Sequence, residues 1–396
     1  MVTAVAPGCT LPHDFDSKLQ AITGPYRFSI FKWEFSAFAE EIRDVFRSSD
    51  KDADDSTEVI AYFAAAGRIK KLQAEIDAIN NGTAPGNAAI LIAEREKLAQ
   101  QNISCKKTVE KIMERQLRET LSEQGIYYPL YRYFRFRVHF PPVNFHFDEP
   151  PNLLVISPRD RIESIREITL QQNMSLEEMA SIESSIDEMD VSSLVVTLGG
   201  FAGTYPSFVT SNADLRFTLD IAAEEWLHQY LAFRPLGFRY LLDVTGIARN
   251  YEIATMNETV ASIVGKEIGA AVWQRYYSPS LENNQVEQNE SSFDFNQEMQ
   301  DIRRTVDTYL AQGEITQAEE FMVEKQQHLT AHSYYLRKLN QAYFAFYGTY
   351  ADRPTSISPI GAELRELRTK SESLSQFLDT VAVLTSRQDL EERLRQ

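Results

Sequence analysis

At Tyr127 the periodicity of the chain changes, and that change limits the folds open to it. Before it, apolar residues recur at helical spacing among charged ones: Ile69, Leu72, Ile76 and Ile79, then Leu91, Leu98, Cys105, Val109, Ile112, Leu117 and Leu121. Between the two runs lies Asn80-Asn81-Gly82-Thr83-Ala84-Pro85-Gly86, a turn signal. The pattern predicts an antiparallel, coiled-coil-like helical hairpin over 57–125, narrow-seamed and charged outside. After Tyr127, residues 130–147 alternate aromatic and polar with period two, a half-buried strand interrupted by Pro141 and Pro142. Short apolar strands follow at 152–157 and 193–198. From about 295 the helical period returns, with helices expected at 295–312, 315–347, 360–381 and 387–395. The expected class is therefore α+β, mostly helical, with a small sheet between an N-terminal helical hairpin and a C-terminal helical cap. The divisions fall at 1–56 (helical segment), 57–125 (hairpin), 126–277 (α+β core), 278–294 (polar loop) and 295–396 (helical region).

Composition narrows the function classes. With 43% hydrophobic and 24% charged residues the chain is expected to fold. Its net charge of −17 disfavours a nucleic-acid partner and a polybasic membrane patch, both of which need a basic surface. Two cysteines, Cys9 and Cys105, are too few for a disulfide framework or a cysteine-based zinc site. No run of eighteen apolar residues predicts a transmembrane helix. The N-terminus lacks the charged start of a signal peptide, and Gly8-Cys9 matches only the scar of a trimmed lipoprotein signal. The compartment stays open between cytoplasmic and exported with the signal already absent. Residues 18–48 carry an aromatic helical face, and the acidic run over 48–56 reads as a solvated linker, since it lacks the glycine and terminal glutamate of a calcium loop. The hairpin fits an oligomerisation arm or a brace, and its sequence does not choose.

The chemistry-bearing residues gather in the core. A helix over about 214–233, stopped by Arg234-Pro235-Leu236-Gly237, carries Glu224 and His228 at i and i+4, with Glu225 one step round. A second helix over about 252–269 presents Glu258. Three ligands and one open position, with a carboxylate to take a proton from water, are what a hydrolytic zinc site needs. Glu224, His228 and Glu258 offer the ligands and Glu225 the base.

The pairing of Glu225-Trp226-Leu227-His228 with Asn257-Glu258-Thr259-Val260-Ala261 resembles the gluzincin pattern, an H-E-x-x-H helix completed by a glutamate in an N-E-x-x-A-like helix. Asn340-Gln341-Ala342-Tyr343-Phe344-Ala345-Phe346-Tyr347-Gly348-Thr349-Tyr350 is similar to a segment of a group of predicted bacterial aminopeptidases. The resemblance spans about 126–360. It implies a zincin-like domain, a peptide substrate, and zinc or another divalent ion. Glu225 would then be the general base, His228 and Glu258 ligands, and Tyr347 or Tyr350 the oxyanion donor. The strand before the motif helix, with Gly199, Gly200 and Ala202, would pair with peptide. Glu224 stands where the family has its first histidine. Two ligating carboxylates largely cancel the charge of the ion and favour a harder metal. The resemblance is therefore compatible with an aminopeptidase-like hydrolase or with a non-catalytic binding or scaffold protein of that fold.

Other clusters are weaker. His328 and His332, with Glu324 one turn earlier, also fit i, i+4 ligands, but they share a polar helix face. No second E-x-x-H exists to suggest a di-iron bundle. His139 and His146 read as packing or surface residues, Trp226 as a core anchor and residues 157–161 as a salt-bridged turn. The absence of G-x-S-x-G, P-loop and dinucleotide motifs disfavours serine hydrolase, NTPase and Rossmann readings.

Overall fold

A computed structural model describes residues 14–28, 56–81, 83–127, 139–278, 293–353 and 355–395. Most of the aromatic opening segment, Cys9, most of the acidic run, residues 128–138 of the aromatic strand and 279–292 of the polar loop lie outside the described residues.

The chain is mostly helical, with a minor strand component. Its described helices, in order, are α1 (Phe15–Thr23), α2 (Ser56–Asn80), α3 (Ala88–Glu123), α4 (Leu176–Asp187), α5 (Leu215–Ala232), α6 (Pro235–Val244), α7 (Tyr251–Tyr276), α8 (Phe295–Ala311), α9 (Ile315–Ala331), α10 (Gln341–Tyr347), α11 (Ile360–Lys370), α12 (Leu374–Val381) and α13 (Arg387–Leu394). The strands are β1 (Phe145–Phe147), β2 (Asn152–Pro158), β3 (Arg166–Leu170), β4 (Val191–Thr197), β5 (Gly200–Phe201) and β6 (Ser207–Val209).

They form two three-stranded sheets rather than one. In the first, β2 lies between β3 and β4, all antiparallel. In the second, β6 lies between β1, its parallel neighbour, and β5. The strand expected over 193–198 is β4, and after Leu198-Gly199 the chain forms β5, so β4 and β5 are edges of different sheets. Side chains alternate across the first sheet. Leu154, Ile156, Leu170 and Val195 pack with Phe15 of α1 and Ile182 of α4. Val155, Leu194 and Val196 pack with α8, α9 and α10 through Ile302, Met322 and Phe344. The strand β3 was not expected from the sequence. In its register Glu167 stands opposite Val155, on the α10 side.

Helices α2 and α3 pair with each other and enter the main core. That core runs from Val59, Phe63 and Leu117 through Leu227 of α5 and Val260 of α7 to Leu364, Phe377 and Leu390. The hairpin also supplies polar partners to β1. Glu110 accepts from the Phe147 N–H at 2.7 Å and Glu114 from the Phe145 N–H at 3.3 Å. Four residues along a helix rise about 6 Å and two along a strand about 6.6 Å, so an i, i+4 carboxylate pair matches alternate strand amides. Both carboxylates are buried, where the β1 amides would otherwise lack acceptors.

Several boundaries differ from expectation. Pro235, read as a stop, occupies the first turn of a further helix, α6, where its missing N–H costs nothing. Gly237 makes the tight corner possible, since a Cβ there would lie 2.1 Å from Leu231 O. Helix α7 continues to Tyr276. The expected helix over 315–347 breaks between α9 and α10, where Ser333 takes a left-handed backbone (φ 69°). The one expected over 360–381 divides into α11 and α12. Among the described residues no helix is long and apolar enough to cross a membrane.

Candidate metal centre

Two buried helices build the site. Asp214 caps α5 by accepting from the Phe217 N–H at 2.9 Å, and Asn250 caps α7 by accepting from the Ile253 N–H at 3.1 Å. Most of both helices is buried over more than one face, as in helices at the centre of a protein. Within them Glu224, Glu225 and Glu258 are only 5%, 8% and 8% exposed. Three carboxylates in such surroundings are costly unless cations or donors meet them.

Glu224, His228 and Glu258 each offer a ligand atom within 4.8 Å of the others, the one such group of metal-binding residue types among the described residues. His228 Nε2 lies 3.5 Å from Glu258 Oε2, and Nδ1 lies 2.9 Å from Asn257 Oδ1. With Asn257 Oδ1 as acceptor the proton sits on Nδ1, which leaves the Nε2 lone pair for a cation. The Tyr240 hydroxyl donates to Glu258 Oε1, and its ring stacks on the imidazole at 5.8 Å between centroids. Glu258 Oε2 is buried and has no hydrogen-bond partner. A divalent ion among these three side chains would satisfy that orphaned oxygen, so the donor set fits such an ion.

Electrostatics point the same way. Burial pushes the Glu224 carboxyl up to about 7, opposed by His228 and Arg353 and reinforced by Glu258. Burial also pushes Glu225 up to about 8, with Glu224 and Glu258 adding to it against the pull of His228. Burial alone would depress His228, yet the carboxylates of Glu258, Glu225 and Glu224 outweigh it and raise the imidazole to about 10. Burial works against ionised Glu258, but His228, Tyr240 and Tyr350 hold it below its ordinary value. The cluster thus retains protons where it could hold a metal cation.

The Glu225 carboxylate lies against β5. A Cβ on Gly200 would stand 2.4 Å from Glu225 Oε1, so only glycine leaves room for the carboxylate. The Ala202 amide supports the ionised form of Glu225, while the Ala202 and Thr204 carbonyls accept from Gln229 at 3.4 and 2.7 Å. Gly199 receives the Thr210 N–H at 2.9 Å. The structure therefore sets the segment of Gly199, Gly200 and Ala202 against the motif helix. Tyr350 reaches the triad: Glu258, Glu224 and Glu225 all act on its hydroxyl, which burial has already raised well above the usual phenol value. Tyr347 does not. It packs on Tyr343 and Phe346, and the charges acting on it are Arg353 and Arg337.

The other described histidines lie in different surroundings. His332 stacks on Phe293 at 4.1 Å and His328 lies 3.9 Å from Glu298. His139 packs on Tyr127, and burial lowers it to about 4. His146 lies 3.7 Å from Glu110. Trp226 is buried and donates from Nε1 to Pro141 O at 2.8 Å, in keeping with an anchor.

Sequence reasoning assigned no role to Tyr240, Asn257, Glu167 or Arg353. Asn257 had a signal, its place beside Glu258 in the motif. Glu167 accepts from Ser164 at 2.7 Å; burial raises its carboxyl, with Ser164 and Arg249 opposing and Glu258 and Asp243 adding. Its place depends on the register of an unforeseen strand, and Tyr240 depends on an unforeseen helix. No family model, curated protein or solved structure matches the chain.

Proposed function

We propose that the chain is a metal-dependent peptide hydrolase of aminopeptidase-like type, built on a zincin-like arrangement of β5, α5 and α7. The observation that carries this reading is the buried Glu224, His228 and Glu258 cluster, with its orphaned Glu258 oxygen, beside the separate buried carboxylate of Glu225. A divalent ion bound there would supply Lewis acidity to a water and to the scissile carbonyl. Glu225 is suited to take a proton from that water and return it to the leaving amine, since burial has brought its carboxyl up to about 8. Tyr350, still protonated in its buried position, is the hydroxyl suited to meet the developing oxyanion. The β5 edge offers backbone groups for an extended peptide.

The test has two stages. Elemental analysis of the purified protein should find a stoichiometric divalent ion, lost in His228→Ala and Glu258→Ala. Glu225→Ala should keep that ion while peptide hydrolysis falls about 10²- to 10⁴-fold, the usual contribution of a general base. A second reading, a non-catalytic scaffold of the same arrangement, is favoured by the carboxylate at position 224, since two ligating carboxylates weaken the pull of an ion on water. A wild type that takes up no ion after supplementation would establish that second reading against the first.

A further inference from the structure

The charged side chains around the centre are mostly engaged. Lys266 pairs with Asp352, which also accepts from Ser262 at 3.0 Å. Arg337 donates to Glu183 at 2.6 and 2.8 Å, and Arg249 lies 3.9 Å from Asp243. Arg353 is different. Its guanidinium makes no hydrogen bond or ion pair among the described residues, although the group carries five donors in a fixed fork. It is half-buried and lies over the Tyr350 ring with Cζ 4.7 Å from the centroid. Thr259, next to Glu258 on α7, accepts from the Ala351 N–H at 2.9 Å and donates to Thr349 O at 3.2 Å, so the segment that carries Arg353 lies beside the triad, and the guanidinium charge acts on Glu224 and Tyr350.

The backbone that carries it is held firmly. Arg353 N donates to Tyr350 O at 2.9 Å and its carbonyl accepts from Ser356 N at 3.2 Å. Thr355 Oγ1 donates to Tyr347 O at 2.9 Å and Ser356 Oγ to Gly348 O at 2.8 Å. One residue earlier, Asp352 ties the segment to Ser262 and Lys266 of α7. The backbone is thus fixed, yet the guanidinium fork is not closed on Glu224 or on any other carboxylate among the described residues. Such a fork recognises a planar anion, carboxylate above all, through two parallel hydrogen bonds.

We propose that Arg353 anchors a carboxylate of the substrate, so that the centre selects peptides presenting a carboxylate, either the α-carboxylate of a short peptide or an acidic side chain. This inference rests on the hydrolase reading for the cleavage, but not for the recognition. In that role Tyr350 supports the guanidinium from its ring face while its hydroxyl faces Glu258.

The test is equilibrium binding to the zinc-supplemented Glu225→Ala protein, a background that prevents turnover, measured calorimetrically with three peptides. They are trialanine, trialanine amide, and Ala-Glu-Ala amide. At least one carboxylate-bearing peptide should bind tenfold or more tightly than trialanine amide, and which one does so identifies the α-carboxylate or the side chain. Adding Arg353→Gln should bring the ratio to about one, and Arg353→Lys, which keeps the charge without the fork, should retain only part of it. Equal binding of all three peptides, or a preference that survives Arg353→Gln, overturns the proposal. If Arg353→Gln does not fold by circular dichroism, an undiminished preference in Arg353→Lys overturns the assignment to the fork. Carboxylate preference without hydrolysis by the wild type would remove the hydrolase reading and leave the anion anchor standing.

Discussion

The two oxygens of Glu258 have different surroundings: Oε1 receives the Tyr240 hydroxyl, while buried Oε2 has only the 3.5 Å contact with His228 Nε2. Tyr240 therefore fixes which oxygen is presented to a cation. Tyr240→Phe keeps the ring stacked on His228 and removes only the donor, so it should lower metal affinity about ten- to a hundredfold, the usual effect of losing a partner behind a ligand. Competition against a chromogenic chelator measures this, and an unchanged affinity would reduce Tyr240 to packing. Glu224, Glu225, His228 and Glu258 were legible in the sequence because helical spacing alone puts the first three on neighbouring positions of one turn. Tyr240 was not, because its approach depends on the corner at Arg234 and Pro235 that turns α6 back toward α7. Arg353 was not either, since a lone arginine after a tyrosine-rich segment has no periodicity to report.

Between elements, the separation of α5 and α7 decides whether Glu224 and Glu258 can share an ion. Gly265 sets that separation: a Cβ there would lie 3.0 Å from Asp220 O and 3.0 Å from Glu224 Cβ. Overpacking costs about 1–3 kcal/mol and alanine returns up to about 1 kcal/mol of helix propensity. Gly265→Ala should therefore destabilise the fold by about 1 kcal/mol in urea titration and, if Glu224 is a ligand as proposed, weaken metal binding as well, because one of the crowded atoms is Glu224 Cβ. A variant that loses stability but keeps full metal affinity would show that the spacing is not critical to the site. The helical hairpin was readable because its turn residues and its 3-4 spacing agree over many turns. The strand over 193–198 is readable, but not that the glycine-rich stretch after Leu198 forms β5 in a different sheet. Local alternation carries no information about which neighbour each strand pairs with.

At the scale of the whole molecule, a net charge of −17 surrounds a centre that already concentrates carboxylates. Without a metal, protons take the place of the cation, and this makes stability depend on pH. Below the ordinary glutamate value of 4.5, Glu224 and Glu225 are protonated whether the chain is folded or not. As pH rises, the unfolded chain releases those protons, while the folded chain keeps them up to about 7 and 8, so stability falls across that window. His228 adds to the same trend. Its folded value, about 10 against an ordinary 6.5, gives stability that is fully present below 6.5 and lost as pH rises through 10. Glu258, held below its ordinary value, acts only at the acid end, where its contribution is lost as pH falls. An ion bound by the three side chains displaces these protons, so the stabilisation it brings grows with pH. An ordinary exposed histidine site reaches its limit about one unit above pH 6.5. Here the metal-induced rise in Tm, at free zinc held constant by a chelator buffer, should still increase between pH 7.5 and 9.5, while the Tm of the metal-free protein declines over the same range. A rise already level at pH 7.5 would mean that His228 does not share its proton with the carboxylates, and the geometry that couples them would be wrong.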